Sequence, residues 1–183
     1  MAARYVGERN LSRNASHSQR PTGEDARERL LAGLPVRDRR LEVAGVSTAV
    51  LEGGDGPPLV LLPAPGEFAA VWIRVIPYLV ATHHVIAPDL PGSGASELSD
   101  GPPDVNTVLT WLGILINQTC AMPPVLVGHT AGGALAARFA VDHSGHLDRL
   151  VLVDTYGLAR FRPAPKVALS FVPRRFATDR ALP

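Results

Sequence analysis

The feature that most restricts this chain is a strand, a sharp turn and a helix read from Val125 to Asp142, with Gly128-His129-Thr130-Ala131-Gly132-Gly133 at the turn. The triplet Val125-Leu126-Val127 is short and wholly apolar, as in a strand buried on both faces. Gly128 and Gly132 then remove side chains that would block the reversal and the close approach of helix to strand. A turn of this kind exposes backbone N–H groups at a helix N-terminus, and in open parallel sheets function collects at such strand ends.

The sequence around the turn repeats the same logic. Leu59 to Leu62 reads as a strand buried on both faces, and His84 to Ala87 and Leu150 to Val153 read as further strands. Between them lie helical stretches, Phe68 to Val80 and Val105 to Gln118, the second with Val105, Val108, Leu109, Leu112 and Ile116 on one face. Right-handed crossovers turn this βαβαβαβ series into an open, mostly parallel sheet with helices on both faces, an α/β fold. Upstream, Leu41 to Glu52 alternates in part and reads as a hairpin turning near Gly45.

Three regions follow. Residues 1–38 are a mobile polar tail up to about residue 21 and a short helix, Ala26 to Leu34, with Thr22 and Asp25 as a weak N-cap signal and Pro35 as its stop. Residues 39–159 form the sheet-bearing core. Residues 160–183, with scattered Pro and Arg and the apolar stretch Val167 to Val172, read as the start of a lid or as irregular chain.

At 183 residues and 46% hydrophobic, the chain has enough apolar surface for one core. A formal net charge of +1 gives no field that would draw nucleic acid or an anionic membrane. The single cysteine, Cys120, rules out an internal disulfide framework and reads as a packed side chain. No run reaches the length of a membrane span and no apolar signal core is present, so a cytoplasmic protein is expected. Gly92-Ser93-Gly94 lacks the third glycine and the helix of a nucleotide loop, so no cofactor or metal is expected.

Four segments, in order, resemble the α/β-hydrolase family. GPPLVLLPAPGEFAAVWIRVIPYL is similar to its third strand and oxyanion loop, and HHVIAPDLPGSGAS to its next strand and Asp-x-Pro-Gly-x-Gly loop. PPVLVGHTAGG resembles the nucleophile elbow, with threonine where Gly-x-Ser-x-Gly has serine, and LDRLVLVDT the strand after it. The resemblance runs from roughly Arg40 to Gly157.

It implies a hydrolytic site on a small ester, epoxide or related substrate. Thr130 takes the nucleophile position, and Ala131 supplies one oxyanion N–H. The matching loop position is Pro65, which has no N–H, leaving Gly66 as the second donor. Asp154, after the last strand, is the acid to nominate, although strand ends favour a turn-forming Asp in any case. Asp89 and Ser96 match structural loop positions, and His129 points away from the nucleophile.

The family's last two strands, with the catalytic histidine, are not found, so the chain reads as truncated before that histidine. Without a general base a hydroxyl is a poor nucleophile at neutral pH. The expectation is therefore a hydrolase by resemblance that is impaired or inactive as this chain. The alternative is a non-catalytic small-molecule-binding protein or a decayed fragment. In either case the strand Leu150 to Val153 would leave an apolar sheet edge through which the chain self-associates.

Overall fold

The computed structural model describes residues 23–98, 101 and 103–157. The tail, Thr22 of the capping expectation and the lid reading from Arg160, including Val167 to Val172, lie outside the described residues. The chain divides into two units after Ala32. In the first, the described residues form helix α1, Gly23–Leu31. It ends earlier than Pro35 predicts because Gly33 takes a φ of +80°, the left-handed conformation that stops helices.

The second unit opens with a hairpin, β1 (Arg37–Val43) and β2 (Val46–Gly53), paired antiparallel from Val43↔Val46 outward. Ala44 and Gly45 form its two-residue turn at φ 52° and 78°, the left-handed pair that matches the twist of the flanking strands. The remaining strands are β3 (Pro58–Leu62), β4 (His84–Pro88), β5 (Val125–His129) and β6 (Arg149–Val153). The sheet order is β1-β2-β4-β3-β5-β6, with β4, β3, β5 and β6 mutually parallel.

That order places the site. From β3 the chain crosses to β4 on one side, then returns past β3 to β5 on the other. With right-handed connections the two crossovers lie on opposite faces, and a crevice opens beyond the carboxyl ends of β3 and β5 where the direction reverses. Side chains alternate accordingly. Val60, Leu62, Ile86 and Leu126 form one core with Leu112, Leu115 and Trp111 of α3 (Val105–Thr119) and Ala136 and Phe139 of α4 (Ala131–Asp142). Leu59, Leu61, Val85 and Ala87, also buried, point to the other face, where Ala69, Ala70 and Ile76 are covered.

On that second face the continuous helix expected over Phe68 to Val80 is broken. A 3-10 turn, Ala69–Trp72, is followed by one helical turn, α2, Ile76–Leu79. Pro77 lacks an N–H and its ring opposes a carbonyl one turn earlier, so it is accommodated only in the first turn of a new helix, where it stands. The buried Trp111 on α3 donates its indole N–H to Thr48 Oγ1 at 3.0 Å, which ties the hairpin to the crossover helix. No described helix is long and apolar enough to cross a membrane.

Candidate active site at the turn between β5 and α4

The turn between β5 and α4 is held by close backbone approaches that only glycine permits. A Cβ on Gly128 would lie 2.5 Å from the Gly132 carbonyl oxygen and from the Gly133 Cα. One on Gly132 would strike the backbone of Leu62 and Pro63 at the end of β3, and one on Gly133 would strike the Thr155 hydroxyl. The three glycines thus bring the elbow against both neighbouring strands.

Thr130 sits at the apex with φ 51° and ψ −116°, a left-handed φ that a β-branched residue adopts only under strain. Its N–H donates to the Val153 carbonyl at 2.9 Å, and its own carbonyl accepts from Tyr156 N at 3.3 Å. The turn after β6 therefore clasps the elbow residue by its backbone. Thr130 Oγ1 is buried and has no hydrogen-bond partner among the described residues. Asp154 lies within the clasp, but as an exposed residue with φ 48°, at the start of the turn. The structure brings the two backbones together and leaves Asp154 on the solvent side.

Ala131 is the first residue of α4, where no preceding turn can take its N–H. Gly66, at φ 84°, donates its N–H to Ser93 Oγ at 3.0 Å. The loop carrying Pro65 and Gly66 is anchored from below by Asp89, which is fully buried. Its carboxylate accepts from Ala69 N at 2.6 Å and Ala95 N at 2.8 Å, while its carbonyl accepts from Ser96 Oγ at 2.8 Å. Ser96 Oγ accepts in turn from Ala49 N, so both residues brace the loops around the crevice.

Three groups beside the elbow were not legible as a unit in the sequence. His129 Nδ1 lies 3.7 Å from Glu67 Oε2, and its ring meets Trp72 edge-to-face at 6.0 Å. Glu67 also accepts from Ala64 N at 3.3 Å, so it links the elbow to the loop after β3. Trp72 Nε1, His129 Nδ1 and Thr155 Oγ1 join Thr130 Oγ1 as buried polar atoms with no hydrogen-bond partner among the described residues. These four atoms cluster around the one turn between β5 and α4. The Gly-x-Thr-x-Gly pattern locates the turn; nothing in local spacing announces Thr155 or Glu67.

A cavity of about 790 Å³ opens beside the elbow, lined by Pro65, Ser93, the start of α3 and the α4 face from Ala131 to Arg138. Thr130 is not among its lining residues. Cys120 is remote from it, and burial raises its thiol above the ordinary range, which keeps it a packing group. Among the described residues no three His, Cys, Asp or Glu side chains gather to hold a metal ion.

The model of the alpha/beta hydrolase fold family matches residues 57–180. Pimeloyl-(acyl-carrier protein) methyl ester esterase of Aeromonas hydrophila is 33% identical over 131 residues, which cover 69% of this chain and 50% of that protein. Soluble epoxide hydrolase of Corynebacterium sp. (strain C12) is 34% identical over 112 residues, covering 61% and 39%. Among solved structures, epoxide hydrolase CorEH aligns with a TM-score of 0.65 at 32% identity, over 74% of this chain and 49% of that one. A bacterial membrane phospholipase A aligns with a TM-score of 0.69 at 27% identity, over 77% and 46%. The chain spans about half the length, or less, of the relatives it matches.

Proposed function

The chain belongs to the α/β-hydrolase fold family, and on that premise we propose that its elbow is a hydrolase site for a small ester, epoxide or related substrate that is impaired as this chain stands. The observation that carries the reading is Thr130 Oγ1, at the apex of the β5–α4 turn at a strained φ, buried and without a hydrogen-bond partner among the described residues, where the family resemblance puts a nucleophile. On an ester the hydroxyl oxygen would attack the carbonyl carbon as it loses its proton, the C=O electron pair moving onto oxygen; collapse would expel the alcohol, and water would then release the acid from the acyl-threonine. The developing oxyanion would be held by the Ala131 N–H and, once Ser93 releases it, the Gly66 N–H. Asp154 is the acid that would orient a base. The proton leaving Thr130 has no acceptor at hydrogen-bond range among the described residues, so this step is slow.

The test is turnover of p-nitrophenyl esters and labelling by a fluorophosphonate probe, with and without added imidazole as an external base. Little turnover is expected alone. Above the rate that imidazole gives without protein, it should raise turnover in the parent protein and not in Thr130→Ala. Efficient turnover without imidazole that Thr130→Ala abolishes would overturn the impairment; no rescue at any imidazole concentration would remove Thr130 as nucleophile.

A second reading, a non-catalytic binder of small molecules, is favoured by the cavity, which exists whether or not Thr130 reacts. We further propose a cytoplasmic location, which a lone cysteine with no disulfide fits. Both readings also include self-association through β6. This strand ends the described sheet with Leu150, Val151 and Val153 exposed, and an apolar edge with unpaired N–H and C=O groups is a template for a second copy. Sedimentation should show concentration-dependent dimers that Val151→Lys disperses; a monomer at all concentrations would remove this partner.

A further inference from the structure

The cavity beside the elbow has an axis and a charge. Its volume, about 790 Å³, lies within the range of small-molecule sites. Leu90, Val105, Val108 and Leu135 give it apolar walls, and Arg138 is the one charged residue among the described residues that line it. Ala131, Ala134, Leu135 and Arg138 all line it from α4, the spacing of a single helix face. Two helical turns separate Ala131 from Arg138, a rise of about 10 Å along the wall.

The Arg138 guanidinium is not consumed by its neighbour. One of its nitrogens, Nη2, lies 3.2 Å from Asp142 Oδ2, with both side chains about half exposed. An exposed i,i+4 pair of this kind holds its two side chains only weakly. Among the described residues no other partner takes the remaining N–H groups of the planar fork, which match a carboxylate two bonds at a time.

We propose that this cavity binds an elongated apolar molecule carrying a carboxylate, with the carboxylate on Arg138 and the apolar chain along α4 toward Ala131. The span of about 10 Å corresponds to a chain of about eight carbons. That such a molecule is a substrate, its far end presented to the Ala131 N–H, rests on the hydrolase reading above; that it binds does not.

Binding is measured on the full chain by calorimetry with octanoate and with octanamide, which has the same length and no charge. Octanoate should bind at least about tenfold more tightly, the loss of one charge-assisted hydrogen bond being worth about that factor. Arg138→Gln should bring octanoate down to the affinity of octanamide and leave octanamide unchanged. Asp142→Asn, which frees the guanidinium and removes a nearby negative charge, should strengthen octanoate binding several-fold and serves if Arg138→Gln does not fold. Equal affinity for the two probes, no binding of either, or an octanoate preference that survives Arg138→Gln would overturn the proposal. Absence of ester turnover with the octanoate preference intact would overturn only the substrate clause.

Discussion

A side chain on Gly133 would collide with the hydroxyl oxygen of Thr155, so the first turn of α4 and the turn after β6 are fitted to each other across the elbow. Gly133→Ala should therefore destabilise the protein by about 1–3 kcal/mol, the usual effect of overpacking. The nearest obstacle is that oxygen, with the Gly128 carbonyl oxygen at 2.9 Å behind it, so Thr155→Ala in the same chain should recover part of that loss and not all of it. Urea midpoints of the two single variants and the double variant form the cycle that measures it; strictly additive values would mean that the two residues do not meet.

Thr130 holds a φ of 51°, where a β-branched side chain is strained. Thr130→Gly should raise stability by about 1 kcal/mol, because it relieves that strain and removes a buried hydroxyl without a partner among the described residues. A lower denaturation midpoint for Thr130→Gly would show that the threonine side chain makes a contribution its conformation conceals.

Asp89 joins the 3-10 turn to the β4–α3 loop by accepting from Ala69 N and Ala95 N. Asp89→Asn replaces charge-assisted bonds with weaker ones and turns one acceptor into a donor facing an N–H. A loss of about 1.5–3 kcal/mol is expected. Amide exchange should accelerate at Ala69 and Ala95 first, and uniform protection across both segments would contradict the bracing role.

At the opposite end of the sheet, Glu52 accepts from Arg39 and is 2.8 Å from His84 Nε2. Burial works to raise its pKa, but the hydrogen bonds and charges of His84 and Arg39 outweigh it and hold the carboxyl below its ordinary value. A carboxyl depressed in the folded state contributes stability above the ordinary glutamate pKa and loses it as pH falls through the folded value. Stability should thus drop on acidification below the ordinary glutamate range, and Glu52→Gln should flatten that segment of the curve. Midpoints from pH 6 downward, taken on both proteins, check it.

Much of the fold was legible because its signals are local. The runs Leu59 to Leu62, His84 to Ala87 and Leu150 to Val153 are strands, and Val105 to Thr119 is a helix, since each carries its own apolar pattern. The segment Phe68 to Val80 departs because its apolar residues satisfy helical spacing while Pro77 restarts the helix midway. The sharp turn from β5 into α4 was readable from glycine positions, and the close approaches at Gly128, Gly132 and Gly133 give those positions their reason.

By itself, then, the sequence determined the strand and helix series and the turn that carries Thr130, because periodicity and glycine placement act within a few residues. Only the tertiary structure decided that Thr130 Oγ1 is buried without a partner among the described residues, that Asp154 stands on the solvent side of the clasp, and that Arg138 faces a cavity. Those are relations between segments far apart in the chain, settled by how β3, β5 and β6 align and how closely α4 packs on them, and no local pattern encodes such distances.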